Sequence, residues 1–268
     1  MKIALLGPRG TFSEEAAYKF DKNPEIYLCN DIIEIFEKVS KGEVGYGIVP
    51  VENSLEGSVG VTLDLLMSKD LKVYREITLD IHHSLMVLPG TKLSEVREVI
   101  SHPHALAQCK NFLREIKVKT RNFPSTAEAA KEISEKKLKE AAAIAPRVAA
   151  DLYGLEILKD DIQDRDSNQT RFLVISKYDH EPTGNDKTSI IFGLKHIPGA
   201  LYHSLGVFYK RNINLTKIES RPSRKALGDY IFFIDFEGHR KEVHIKKALK
   251  ELERKTTFLK ILGSYPRG

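Results

Sequence analysis

The sequence predicts an α/β fold in two parts, a two-lobed domain with largely parallel sheets followed by a smaller βαββαβ module. Three observations predict it. Short apolar runs alternate with amphipathic stretches through most of the chain, a polar stretch holding Pro182 and Gly184 interrupts it, and a strand–helix–strand pattern then occurs twice.

Taken in order, strands are predicted at Lys2–Leu6, Tyr46–Pro50, Glu98–Ser101, Ala141–Ala145 and Phe172–Ser176. Helices are predicted between them at Ser13–Phe20, Asp31–Lys41, His104–Ile116 and Thr126–Leu138. The stretch Leu71–Leu88 is rich in β-formers and reads as one longer strand passing between two lobes. One lobe spans about 1–76 plus 160–178 and the other 77–159, with the cleft at the crossover. Residues 1–178 then form the first domain, 179–187 a linker and 188–264 the second domain. That second part reads strand (Thr188–Leu194), helix (Pro198–Lys210), strand (Leu215–Arg221), strand (Tyr230–Glu237), helix (Glu242–Arg254) and strand (Thr257–Leu262). Its first helix carries Leu201, Leu205 and Phe208 on one face. This order is the ferredoxin-like plan.

Composition narrows the function. A hydrophobic fraction of 41% with 29% charged residues fits a soluble globular protein. No run reaches the ~18 apolar residues of a membrane helix, and Ile3–Leu6 is too brief for a signal peptide. Cys29 and Cys109 lie far apart, which fits a reducing cytoplasm. The net charge of +5 is spread along the chain without a basic cluster interleaved with aromatics, so nucleic acid is not an expected partner. His102 and His104 lack a third ligand, so no metal is expected. No Ser/His/Asp order or Cys/His pair announces covalent catalysis.

Several junctions offer ligand-binding groups. Asn168-Gln169-Thr170-Arg171-Phe172 places a hydroxyl, a cation and an aromatic wall where a polar loop becomes a strand. Strand alternation points Thr170 and Phe172 one way and Arg171 the other. Gly7-Pro8-Arg9-Gly10-Thr11-Phe12-Ser13 opens a helix whose N–H groups favour an anion, though Thr11 or Ser13 also serves as a plain N-cap. Asn53, Ser54 and Glu56 follow a strand into a polar loop, as ligand groups or as turn formers. Ser125 and Thr126 are N-cap candidates first and ligand donors second. His82 and His83 read as strand residues, surface or core, rather than catalysts.

Together, Gly10-Thr11-Phe12-Ser13, Pro50-Val51-Glu52-Asn53-Ser54-x-Glu56-Gly57, His102-Pro103-x-Ala105-Leu106-x-Gln108-Cys109, Ser125-Thr126-Ala127, Ala145-Pro146 and Thr170-Arg171-Phe172 resemble the prephenate dehydratase family. The tail resembles an ACT domain through Gly199-Ala200-Leu201 and Glu219-Ser220-Arg221-Pro222. The resemblance implies a periplasmic-binding-protein-like catalytic domain joined to an ACT regulatory domain, in the monofunctional form without a chorismate mutase segment. It implies conversion of prephenate to phenylpyruvate, water and carbon dioxide, with no cofactor.

By the same resemblance, Thr170 assists the leaving hydroxyl, Arg171 grips a carboxylate or braces the loop, and Phe172 excludes water. Thr11, Ser13, Asn53, Ser54, Ser125, Thr126 and Asn168 are positioning donors, and Glu56 and Gln108 order them. The implied effector is L-phenylalanine, held between two modules of a homodimer or homotetramer by Gly199, Ala200, Leu201, Asn212, Asn214, Leu215, Glu219, Ser220, Arg221 and Pro222. Three alternatives stand beside this: an arogenate dehydratase, an amino-acid or solute sensor without turnover, and a partner-binding ACT protein.

Overall fold

The computed structural model describes residues 1–165, 167–223 and 230–268. The first half runs β1 (Lys2–Leu6), α1 (Phe12–Phe20), β2 (Glu25–Cys29), α2 (Ile32–Lys41), β3 (Tyr46–Asn53), β4 (Gly57–Ser58), α3 (Gly60–Ser68), β5 (Lys72–Asp80), β6 (Ser84–Val87), β7 (Glu98–Ser101), α4 (Pro103–Gln108) and α5 (Lys110–Ile116). It continues with β8 (Lys119–Asn122), α6 (Thr126–Lys136), β9 (Ala141–Ala145), α7 (Arg147–Tyr153), β10 (Glu156–Lys159) and β11 (Gln169–Ser176). The C-terminal module is β12 (Asp186–Gly193), α8 (Ala200–Tyr209), β13 (Leu215–Pro222), β14 (Tyr230–Glu237), α9 (Val243–Glu253) and β15 (Phe258–Pro266).

Among the described residues the strands form three sheets. Their orders are β2-β1-β3-β11-β5 with β4 on β3, then β10-β6-β9-β7-β8, then β13-β14-β12-β15. The α/β class and the ferredoxin-like order of the last sheet are those expected. By contact the chain divides into two compact units. One comprises Met1–Ile35, Ile48–Val59 and Thr78–Phe172; the other comprises Phe36–Gly47, Gly60–Ile77 and Leu173–Gly268.

In the first unit, β9 shows why the second sheet takes helices on both sides. Side chains alternate along a strand, so Ala142 and Ile144 join Leu106, Phe112 and Leu113 of α4 and α5. Ala141, Ala143 and Ala145 join Ala130 and Ile133 of α6 and Ala149 of α7. Small side chains on β9 let both helix layers approach. Local signals start the helices as read: Thr11 Oγ1 accepts from Glu14 N and caps α1, and Ser125 Oγ accepts from Glu128 N and caps α6. Gly10 adopts φ +82, where a Cβ would also press within 3.3 Å of Ala149.

In the second unit, Ile190, Phe192, Val207, Phe208, Ile234 and Phe236 build the core of the C-terminal module. Two of its side chains hold α3. Lys260 Nζ donates to the last carbonyls of that helix, Leu66 O at 2.9 Å and Met67 O at 2.9 Å, and to Lys69 O at 2.6 Å beyond it. Arg221 pairs with Asp64.

Two elements differ from the sequence reading. Leu71–Leu88 is not one strand, because the backbone breaks at Ile81-His82-His83. There Ile81 N donates to Asn168 O, His83 N donates to Gln163 Oε1, and Ile162 N donates to His83 O. Ile162, Gln163 and Asn168 take the bonds a neighbouring strand would have made. His104–Ile116 is likewise two helices meeting at Cys109, and Asp164 satisfies the freed N–H of Asn111 at 3.0 Å. His82 and His83 therefore lie outside the strands.

Candidate active site

The site begins where β3 ends and β11 starts. Asn53 folds its own loop, with Oδ1 accepting from Leu55 N at 2.9 Å and Glu56 N at 3.0 Å. Its amide nitrogen is thereby turned to the neighbouring strand. Asn53 Nδ2 donates to Thr170 Oγ1 at 2.9 Å, Asn168 Oδ1 at 2.8 Å and Gln169 O at 3.2 Å. Ser54 closes the same junction, its N–H donating to Gln169 O and its Oγ receiving Gln169 N, both at 2.9 Å.

From Asn168 the network reaches α4. Asn168 is 1% exposed, and its Nδ2 donates to Gln108 Oε1 at 2.9 Å. His83 Nε2 meets the same oxygen at 3.0 Å, and Gln108 Nε2 reaches Glu56 Oε1 at 3.4 Å. Glu56 Oε2 lies 3.9 Å from His104 Nδ1. A cleft of about 350 Å³ opens beside this chain of amides, lined by Ser54, Leu55, Gln108, Gln163, Arg165 and Asn168 among others. Its volume suits a small metabolite; Arg165 brings a positive charge to its lining and Asp164 a negative one.

Arg171 points away from Thr170, as alternation requires. Its Nη2 lies 3.3 Å from Glu52 Oε2, which favours the bracing role over a free grip on a carboxylate. Phe172 is buried at 2% exposure. A threonine hydroxyl has one proton and two lone pairs. Because the Asn53 amide nitrogen can only donate, Thr170 accepts there and its own proton is left to point elsewhere. An accepted bond also polarises the hydroxyl as a donor.

Two family models cover most of the chain. The prephenate dehydratase family model matches residues 3–180, and the ACT domain model matches residues 188–254. The chain belongs to the prephenate dehydratase family. A prephenate dehydratase from Methanocaldococcus jannaschii is 47% identical over 268 residues, covering 97% of this chain and 96% of that protein. The structure of prephenate dehydratase in complex with L-Phe from Arthrobacter aurescens superposes with TM-score 0.92 at 35% identity, over 100% of this chain and 90% of that one. The quorum-quenching acylase GqqA has TM-score 0.93 at 31% identity, over 100% of this chain and 98% of that one.

Within the dehydratase frame, the structure joins Asn53, Ser54, Glu56, Gln108, Asn168 and Thr170 in one bonded network. Thr11 and Ser125 are occupied as helix caps, Ser13 is buried in α1, and Thr126 opens α6. Glu14 secures the turn before α1, accepting from Arg9 Nη2 at 2.5 Å and Gly10 N at 2.6 Å. His83, Gln163 and Arg165 stand here outside the expected set, and Glu52, a member of the expected motif, takes a place beside Arg171. Burial lowers the His83 pKa, outweighing the opposing bond to Gln108, and the charge of His82 lowers it further, which favours the neutral ring. Burial pushes the Cys109 thiol up to about 12, which makes it inert. Among the described residues no group of three or more His, Cys, Asp or Glu could hold a metal ion, and no helix is long and apolar enough to cross a membrane.

The ACT module places its motif residues at two ends of α8. Gly199 caps the helix start at φ +77, and Ala200 and Leu201 line a cavity of about 130 Å³ with Leu194, Ile197, Tyr230 and Phe232. Asn212 and Asn214 follow the other end of this ten-residue helix, about 15 Å away at 1.5 Å per residue. On β13, Leu215 pairs with Phe236, Ser220 with Phe232 and Pro222 with Tyr230. Glu219 sits 3.2 Å from Lys217.

Proposed function

We propose that the chain carries out its family's reaction, the decarboxylative dehydration of prephenate to phenylpyruvate, with Thr170 as the donor to the departing hydroxyl. The observation that carries this reading is the Asn53 amide seated on Thr170 Oγ1 at 2.9 Å. It fills an acceptor site and leaves the hydroxyl proton for a ligand oxygen. The ring carboxylate leaves as carbon dioxide, its electron pair enters the ring, and the C–O bond breaks to give an aromatic product. The departing hydroxide takes a proton and becomes water. Thr170 is too weak an acid for conventional general acid catalysis, so it stabilises the charge growing on that oxygen by a preorganised hydrogen bond. Arg165 at the cleft and the α1 N-terminus are candidates to hold the substrate carboxylates, while Glu56 and Gln108 keep the amides in order.

L-phenylalanine regulates turnover by feedback through the ACT module. The Ala200–Leu201 cavity takes the phenyl ring, and a second copy supplies the residues that lie at the far end of α8. β13 ends its sheet, and Ile218 on it is 48% exposed; an edge of this kind is suited to pairing with another copy. The working form is accordingly a homodimer or a homotetramer through ACT domains, in the cytoplasm, with a catalytic segment 1–178, a linker 179–187 and a regulatory segment 188–264.

The test is to mix purified protein with prephenate at neutral pH, without added metal, and follow phenylpyruvate with and without L-phenylalanine. Arogenate offered in parallel separates a keto from an amino side chain. An amide substrate offered in the same assay tests for acylase activity, to which Cys109, fully buried with an inert thiol, contributes no nucleophile. Amide cleavage without carbon dioxide release would overturn the reading.

A further inference from the structure

The hydrogen-bond polarity of the site runs in one direction. The backbone N–H groups of Leu55 and Glu56 can only donate, so Asn53 must present Oδ1 to them. That turns Asn53 Nδ2 toward Asn168 Oδ1 and Thr170 Oγ1. Asn168 Nδ2 is then the group facing Gln108 Oε1. A carbonyl oxygen has no proton to give, so His83 Nε2, 3.0 Å from it, must carry the ring hydrogen. Nδ1 is left as a bare lone pair, and among the described residues it has no partner.

His83 is built into its position. It is 3% exposed, its backbone N–H donates to Gln163 Oε1 at 2.9 Å, and its carbonyl receives Ile162 N at 3.0 Å. Its ring stands edge-on to Phe12 at 5.9 Å. An orphaned buried nitrogen costs stability, and a carbon side chain would fill the same space without it. A ring kept here despite that cost serves its other nitrogen.

We propose that His83 is a positioning residue for the dehydration, its Nε2–H fixing Gln108 and, through Asn168 and Asn53, the outward direction of the Thr170 hydroxyl. The inference rests on the role given to Thr170 above. Without the His83 proton, Gln108 keeps only the Asn168 donor on Oε1 and the long bond from its Nε2 to Glu56, so its amide is held less firmly against rotation. Rotation would set Gln108 Nε2 against Asn168 Nδ2, donor against donor, and loosen the amide that holds Thr170.

The experiment compares His83→Leu, His83→Gln and Thr170→Ala in one prephenate assay and records ¹⁵N imidazole spectra of the wild-type protein. Leucine offers no donor, whereas the glutamine amide nitrogen reaches the place of Nε2. His83→Leu is expected to lower kcat about tenfold, the rate equivalent of one net hydrogen bond, with KM nearly unchanged. His83→Gln is expected to restore most of that loss, and the wild-type ring to be neutral and protonated on Nε2. Wild-type kcat in His83→Leu beside an inactive Thr170→Ala overturns the role of His83 alone, and so does a His83→Gln as slow as His83→Leu. Wild-type kcat in Thr170→Ala removes the reading beneath it instead. A ring protonated on Nδ1 overturns the proposal whatever the variants do, including a His83→Leu that fails to fold.

Discussion

Arg221 donates from Nε and Nη2 to one carboxylate oxygen of Asp64, at 3.2 and 3.0 Å. The pair links the Glu-Ser-Arg-Pro motif of the regulatory module to α3. That helix begins at Gly60, directly after the loop that carries Asn53 and Glu56. Gly60 lets the guanidinium approach, because a Cβ there would lie 3.0 Å from Arg221 Nη1. An action of L-phenylalanine on Arg221 would be felt first at Asp64 and α3.

Asp64→Ala is therefore expected to keep basal turnover and to blunt inhibition. The concentration of L-phenylalanine for half-inhibition should rise about 5- to 150-fold, the usual range of an allosteric coupling. Inhibition curves recorded on wild type and variant at one prephenate concentration decide it. Superimposed curves would show that this ion pair carries no coupling.

Asn53→Asp keeps an oxygen for the Leu55 and Glu56 N–H groups but replaces the donor with an acceptor. Thr170 is then drawn to donate to residue 53, and the substrate oxygen loses its partner. A fall in kcat of about 10²–10³ is expected, the cost of one preorganised donor, with KM changed much less. Steady-state kinetics with prephenate check the split between the two constants.

Cys109 should ignore thiol reagents in the native protein. With its thiol held at about 12 and the side chain fully buried, the reactive thiolate is about 10⁻⁴ of the population at pH 8. Alkylation followed by mass spectrometry is expected to label Cys109 after denaturation and not before. Native labelling would contradict the burial.

His83 also sets a pH dependence. Burial first, and then the charge of His82, hold its folded pKa below the ordinary value, against the opposing bond to Gln108. The unfolded chain therefore binds the proton more readily. The stabilisation is complete above about pH 6.5 and is lost as pH falls below it, at up to about 1.4 kcal/mol per pH unit. Urea midpoints between about pH 8 and pH 5 should fall more steeply for wild type than for His83→Gln. Parallel slopes would place the titration elsewhere.

How much of this was legible in the residues depends on how local each signal is. The βαββαβ order and the strand of Ala141–Ala145 follow from neighbours in sequence, and so do the two cap positions, where the residues leave Thr11 or Ser13 and Ser125 or Thr126 open and the structure selects Thr11 and Ser125. Asn53, Glu56, Gln108, Asn168 and Thr170 were found as motif members, without the bonds that join them. His83 was set aside as a strand residue. Its meaning comes from Ile162, Gln163 and Asn168, distant in sequence, whose bonds to Ile81 and His83 break the strand. The break at Cys109 has the same origin, since Asp164 caps the second helix. Glu52 beside Arg171 and Asp64 beside Arg221 are long-range ion pairs that no periodicity reveals.

The Thr170 hydroxyl is the group on which the proposed dehydration depends. The direct measurement is kcat and KM for prephenate in Thr170→Ala and Thr170→Ser beside wild type. Loss of about 10²–10³ in kcat is expected for alanine, with KM little changed and serine retaining most of the activity because it keeps the oxygen that Asn53 holds. Near-wild-type turnover in both variants would contradict it.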